Sequence, residues 1–373
     1  MKRINNKSSS VFVIISIIIA SSMVFSFGCA KKDGKEIRIG VVLPLSGSAA
    51  GHGEDVLGGM SLALEELNDS GINHEFKIKL LIEDNQSTPQ GSVNSLNNLI
   101  HIHKVPVIIG PLASSDMLAM APIAEKTKTV LISPGASSPK LSDAGDYIFR
   151  NSLLAEPQGE MMAQFCFHSL HKKNVAILYI NDETGRGYMG AFEKKFQMLG
   201  GKILVTDNFD KQGTDFRTQL AKIKEVKPDA IYAPSTPQTL GYILRQSREL
   251  GINATFLANY GVEGEALISI AGETAEGIYY TSIPIDIEFT KKYENVYGRK
   301  PTIGAPLGYD TLKLVVKAIK DNGYSSDDIK MGLNGIRDAR GATGNIVFDE
   351  KGDAIKEIII KTVKNGSFIE AEF

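Results

Sequence analysis

The sequence contains no tryptophan, only two cysteines and six histidines, and almost no net charge, with 41 Lys and Arg against 43 Asp and Glu in 373 residues. Each scarcity excludes something. Two cysteines cannot knit a disulfide scaffold, and 23% charge beside 43% hydrophobic residues is too balanced for a disordered chain. A formal charge of −2 lacks the basic excess that nucleic-acid binders carry, so no nucleic-acid partner is expected. The histidines do not cluster: His101 and His103 stand two apart on an expected helix and cannot share a face, so no metal site is expected. There is no GxSxG elbow and no HExxH helix. No catalytic residue is assigned, the chain is not expected to be an enzyme, and no cofactor is called for.

The charge is unevenly spread. Residues 1–28 hold Lys2, Arg3 and Lys7 and no acid, so the remainder carries 38 basic against 43 acidic residues. A basic start, an apolar run at 11–27 broken by serines, and small residues beyond it are the marks of a secretory signal, too short and too interrupted for a comfortable membrane span. The stretch Phe25-Ser26-Phe27-Gly28-Cys29 resembles a bacterial lipoprotein cleavage box, with Ser26 and Phe27 where that box usually has Leu and a small residue. The expectation is a signal peptide at 1–28, a lipid on Cys29, and a short polar tether at 29–35. That places the chain in the periplasm or on the outer face of the cell membrane. Cys166 lies among Met161, Met162, Phe165 and Phe167 and is expected to be a buried thiol.

This length exceeds what one core fills, so two lobes are expected. A strand at 36–43 is followed by apolar residues Val56, Met60, Ala63, Leu64 and Leu67, spaced as one helical stripe. The unit repeats, with strands at 76–82, 105–109 and 129–132 and helices at 92–102 and 116–126. A second series runs from a helix at 158–171 through strands at 175–180, 203–209, 230–233 and 255–258 and helices at 188–199, 216–226 and 238–250. Such alternation argues an α/β fold of parallel sheets covered by helices on both faces. The tail differs: helices at 288–297 and 305–322, then a strand at 346–348, a turn at 350–353 and a strand at 355–363 that together form a hairpin.

One pattern invites a dinucleotide reading, Gly185-Arg186-Gly187-Tyr188-Met189-Gly190 with Asp207 some twenty residues on. It belongs to the second series of strands, and we read it instead as a strand-to-helix turn that needs small residues. Ligands of open parallel sheets bind beyond the carboxyl ends of the strands, which directs attention to the loops there. Gly110-Pro111-Leu112-Ala113-Ser114-Ser115-Asp116 runs straight into a helix, and Ser133-Pro134-Gly135-Ala136-Ser137-Ser138-Pro139 follows the next strand. Free N–H groups at a helix start and Ser hydroxyls suit a carboxylate, although Ser at a helix N-cap is common for structural reasons alone.

The stretches at 37–47, 109–115 and 131–139, together with Thr184-Gly185-Arg186-Gly187, Asp215-Phe216, 241–246, Gly261-Val262, 270–277 and 348–353, resemble the periplasmic leucine/isoleucine/valine-binding proteins. These are the solute-binding components of branched-chain amino acid ABC transporters. The resemblance implies a type I periplasmic binding protein: two Rossmann-like lobes joined by three crossovers, near 150–154, 283–286 and 355–357. Lobe 1 would comprise 36–152 and 285–356, and lobe 2 would comprise 153–284 and 357–373. It implies that Ser114 meets a ligand carboxylate through hydroxyl and N–H, that Gly135 and Ser137 offer a carbonyl and a hydroxyl, and that Ser115 and Ala136 border them. His52 falls where many members have Tyr. In the second lobe Thr184 and Thr236 stand where Tyr is common, and Tyr260 where amino-acid binders place an acid against the ammonium. Asp182 or Glu183 in the neighbouring loop could substitute. The expected function is delivery of an aliphatic or branched-chain amino acid, or a related small carboxylate, by a monomer to a membrane ABC permease. The alternatives are a ligand sensor for a membrane receptor and a binder of a carboxylate or amide that is not an amino acid.

Overall fold

A computed structural model describes residues 35–69, 76–210 and 212–372. The expected signal peptide, the lipidation site Cys29 and nearly all of the tether lie outside these residues.

The first lobe opens with strand β1 (Lys35–Leu43) and helix α1 (Ala50–Asp69), followed by β2 (Phe76–Asp84) and α2 (Pro89–Asn97). Strand β3 (Val107–Ile109), helix α3 (Ser114–Thr127), β4 (Val130–Ser133) and β5 (Ile148–Arg150) complete its sheet. The five strands run parallel in the order β2-β1-β3-β4-β5. Every residue of β3 and β4 is buried, as in a sheet with helices on both faces.

Helix α4 (Ala155–Gln164) begins the second lobe, which continues through β6 (Asn174–Ile180), α5 (Glu183–Met198), β7 (Lys202–Phe209) and α6 (Arg217–Val226). Then come β8 (Ala230–Tyr232), α7 (Pro237–Glu249), β9 (Thr255–Ala258), α8 (Glu265–Ala271) and β10 (Tyr279–Ser282). The chain then returns to the first lobe with α9 (Ile287–Tyr297), α10 (Gly304–Asn322) and α11 (Ser326–Asn334). Phe289, Leu312 and Leu333 of these helices share one core with Ile37, Ile39 and Val41 of β1. Helices α1 and α10 meet at glycines: a Cβ on Gly59 would lie 1.8 Å from the Ala305 carbonyl oxygen, and one on Gly308 2.3 Å from that of Val56. Larger residues there would force the helices apart.

Strands β11 (Ala339–Gly341), β12 (Gly344–Phe348) and β13 (Ala354–Ile355) form a small antiparallel sheet, and β14 (Ile359–Lys364) and β15 (Ser367–Glu370) add antiparallel to β10 at the edge of the second sheet. The expected hairpin exists between β12 and β13, where Val347 faces Ile355 and Phe348 faces Ala354. The single strand expected at 355–363 is instead two strands, because the chain leaves one lobe for the other between them. There are thus three crossovers, at 151–154, 283–286 and 356–358. Their apolar residues Leu153, Ile283 and Ile358 meet in one cluster with Ile303, the N-cap of α10, Leu307 of α10 and Tyr260.

Two further expectations change. The glycine pattern at 185–190 is the first half of α5 and not a turn, since Asp182 caps the helix with its side chain on the Gly185 N–H at 2.7 Å. The helices expected at 92–102 and 158–171 each begin three residues earlier, and each ends in a π-helical turn, Asn98–Ile102 and Phe165–Ser169. Cys166 lies in the second of these, fully buried and free, and burial pushes its thiol up to about 12. Among the described residues no helix is long and apolar enough to cross a membrane, and no group of His, Cys, Asp and Glu is arranged to hold a metal.

Candidate ligand-binding cleft

A cleft of about 580 Å³ opens between the carboxyl ends of the two sheets. From the first lobe it is lined by His52, Ser114, Ser115, Gly135 and Ser137, and from the second by Asp182, Thr184, Thr236 and Tyr260. The sequence-derived candidates therefore converge on one space, with one exception. Ala136 is wholly buried behind the wall, where its carbonyl accepts the Ser152 hydroxyl at 2.7 Å.

The first-lobe wall is built from the two serine-bearing loops. Helix α3 starts after Ala113, whose backbone is extended and whose side chain cannot cap, so the first-turn N–H groups open toward the cleft. Ser114 is the first helical residue and not the N-cap. Its hydroxyl oxygen accepts the N–H groups of Ser137 and Ser138, each at 3.1 Å, which locks the two loops together and leaves its proton to donate outward. Ser133, which sequence reasoning did not single out, organises the second loop. Its hydroxyl donates to the Pro111 carbonyl and accepts the N–H groups of Gly135 (3.1 Å) and Ala136 (2.8 Å). A Cβ on Gly135 would stand 3.0 Å from the Leu112 carbonyl oxygen, so the loop leaves little room there for a side chain. Ser115 turns away from this work and donates to the Asp116 carboxylate at 3.0 Å.

Beneath the loop the buried Arg150 braces it. Its guanidinium donates to the Ser138 carbonyl at 2.6 Å and grips both Asp353 oxygens at 2.6 Å, and Ser142 bridges the pair. Arg150 lies at the first crossover and Asp353 just before the third, so the ion pair joins the serine loop to two crossovers.

The second-lobe wall is aromatic and amide-rich. Tyr188 hydrogen-bonds Gln158 at 2.8 Å and also engages Ser137 and Asn259; burial outweighs these contacts and pushes its phenol up to about 12. Gln158 in turn accepts the Thr281 hydroxyl at 2.7 Å and the Tyr260 N–H at 3.3 Å. Asn259 accepts the Ser235 N–H at 2.9 Å. Tyr260 reaches across the cleft and donates its hydroxyl to the Gly135 carbonyl at 3.0 Å. Burial raises its pKa, so it remains a donor. Thr236 caps α7, accepting the Thr239 N–H at 3.3 Å. Tyr188, Gln158 and Asn259 escaped sequence reasoning; Tyr188 stands inside the glycine pattern, and only its burial and its partners mark it. At the rim, Lys140 of the first lobe pairs with Glu183 of the second at 2.8 Å.

Two α/β lobes facing each other across a cleft lined at the carboxyl ends of their parallel strands, with three crossovers at one side, define a bilobed binding protein of type I topology. A family profile described as periplasmic binding protein matches residues 36–367, and the chain belongs to that family. Among curated relatives, the Leu/Ile/Val-binding protein homolog 1 of Brucella suis is 27% identical over 346 residues, covering 90% of this chain and 91% of the relative. The structure is similar to that of a leucine binding protein, LivK, from Thermotoga maritima, with a TM-score of 0.84, 31% identity, and coverage of 90% of this chain and 98% of that one. It is also similar to LivJ of Streptococcus pneumoniae in complex with isoleucine, with a TM-score of 0.83, 29% identity and the same coverages. A solute binding protein from Rhodopseudomonas palustris in complex with 3,4-dihydroxybenzoic acid shares the fold at a TM-score of 0.81 and 23% identity, covering 91% of this chain and 96% of that one.

Proposed function

We propose that this chain is the solute-binding component of an ABC importer, anchored outside the cytoplasmic membrane by a lipid on Cys29, which closes on a small carboxylate-bearing solute and delivers it to the permease. One observation carries the reading: the Ser114 hydroxyl and the uncapped start of α3 face the interlobe cleft beside Ser137, a donor cluster suited to a carboxylate. The cleft volume suits a solute the size of a branched-chain amino acid or a small aromatic acid, such as the isoleucine and 3,4-dihydroxybenzoic acid bound in the LivJ and Rhodopseudomonas structures. The three crossovers supply hinges for closure, which would remove the ligand from water.

Thermal-shift measurements across amino acids and small organic acids test this. At least one carboxylate should raise the melting temperature in a saturable way, and replacing Ser114 and Ser137 together by Ala should erase the shift. A flat response across the panel would sink the proposal. Anchoring is tested separately: in a Gram-negative or Gram-positive host the intact precursor should partition with membranes, and C29A should be released in soluble form.

A further inference from the structure

The cleft lining presents many hydroxyl donors and few acidic side chains. Among the described residues its lining contains no Lys or Arg and two carboxylates, and both carboxylates already accept hydrogen bonds. Asp116, 3% exposed, accepts from Asn85, Ser92 and Ser115. Asp182 applies its charge to the N-terminus of α5 through the Gly185 N–H. Glu263, three residues beyond Tyr260, is buried outside the cleft lining, ion-paired with Lys361 at 2.7 Å and bonded by the Tyr280 hydroxyl.

Four carbonyls of the binding loops already accept hydrogen bonds. Pro111 receives the Ser133 hydroxyl, Ala136 that of Ser152, and Ser137 the Ala155 N–H at 2.9 Å. The Gly135 carbonyl, at the meeting point of the two lobes, receives the Tyr260 hydroxyl. An ammonium group brings three donors and no acceptor, and in a closed cleft each unmatched donor weakens binding. A carboxylate meets the opposite situation, with the Ser114 hydroxyl and the first turn of α3 available to it.

We propose that the cleft selects small carboxylates that carry no α-ammonium group, such as 2-oxo, 2-hydroxy or unsubstituted acids, and that Tyr260 sets this choice by placing its own hydroxyl on the carbonyl an ammonium would need. The inference rests on the carboxylate reading of the cleft.

The test uses matched pairs of one carbon skeleton: valine with 3-methylbutanoate, leucine with 4-methylpentanoate and with 4-methyl-2-oxopentanoate, phenylalanine with 3-phenylpropanoate. Titration calorimetry on the wild type should find the amine-free acid at least about tenfold tighter in every pair that binds, a preference of roughly 1.4 kcal/mol or more. Tyr260→Glu, which removes the competing hydroxyl and adds an acid, should shift that preference toward the amino acid by a similar factor. An amino acid that binds as tightly as its amine-free partner, or more tightly, overturns the inference while leaving the carboxylate reading intact. Loss of that amino-acid binding in Asp182→Asn would then name Asp182 as the ammonium acceptor. Failure of every member of the panel overturns the carboxylate reading and the inference with it.

Discussion

At the scale of single residues, the Arg150 guanidinium is costly to bury: it is essentially inaccessible, and it is matched by hydrogen bonds to Asp353, Ser138 and Ser142. Burying an ion pair gains little over an apolar substitute, but removing one partner strands the other charge and costs about 3–5 kcal/mol. Asp353→Asn is therefore expected to lower the melting temperature by on the order of 10 °C, while the double replacement of Arg150 and Asp353 by Met and Leu recovers part of the loss. Differential scanning calorimetry of the two variants checks this; a double variant no more stable than Asp353→Asn would show that the stranded charge is not the source of the cost. Cys166 gives a second expectation at this scale. A thiol held near 12 by burial has almost no thiolate at neutral pH, so a disulfide reagent should label it only as the second lobe unfolds. Labelling of the native protein at the rate of a free thiol would contradict its burial.

At the scale of elements, the start of α5 shows why two glycines of one pattern differ. A Cβ on Gly185 would stand 2.0 Å from the Ile180 carbonyl oxygen at the end of β6, whereas one on Gly190 would meet nothing within 4 Å. Gly185→Ala should destabilise by about 1–3 kcal/mol, and Gly190→Ala should stabilise by roughly 0.5–1 kcal/mol through helix propensity; chemical denaturation reads both. The pattern was legible in sequence as a need for small residues, but not its place inside the helix, because the capping Asp182 lies outside the apolar periodicity from which the helix start was judged. The longer helices and apolar strands were legible for the same reason: their stripes repeat. Strands β5 and β10 were not. Ile148–Arg150 is three residues long and ends in an arginine buried only because Asp353 awaits it, and Tyr279–Ser282 reads as a polar stretch whose burial depends on its neighbours β9 and β14. Helix α11 carried a readable signal, the capping box of Ser325 and Asp328, that no long apolar stripe reinforced. The first-lobe wall of the cleft could be read because its serines follow strands in sequence. The network of Gln158, Tyr188 and Asn259 could not, since its members come from three separate elements and meet only in three dimensions.

At the scale of the whole molecule, the crossovers decide how the lobes move, and the third carries a partly buried cation. Lys356 follows β13 and donates to the Thr343 hydroxyl at 2.8 Å; Thr343 donates in turn to Asp310 of α10, whose carboxylate also accepts the N–H groups of Ala342 (2.6 Å) and Thr343 (2.8 Å). Burial lowers the Lys356 ammonium to about 8, against the opposing pull of Asp310, and burial likewise raises the Asp310 carboxyl despite its hydrogen bonds. An unfolded lysine titrates near 10.4. Between the two values the unfolded chain holds more protons than the folded one, so stability rises with pH across that window, and the cost of the charged amine is borne in full below about pH 8. From pH 8 to 9.5 the gain is on the order of 1 kcal/mol. The Lys356→Met variant loses the titrating group, while Asp310 keeps its three remaining donors, so its unfolding free energy should be nearly level over the same range and above that of the wild type at pH 7. Urea denaturation at intervals of half a pH unit measures both curves. A wild-type slope that persists in the variant would assign the pH dependence to another group and remove Lys356 from the energetics of the hinge.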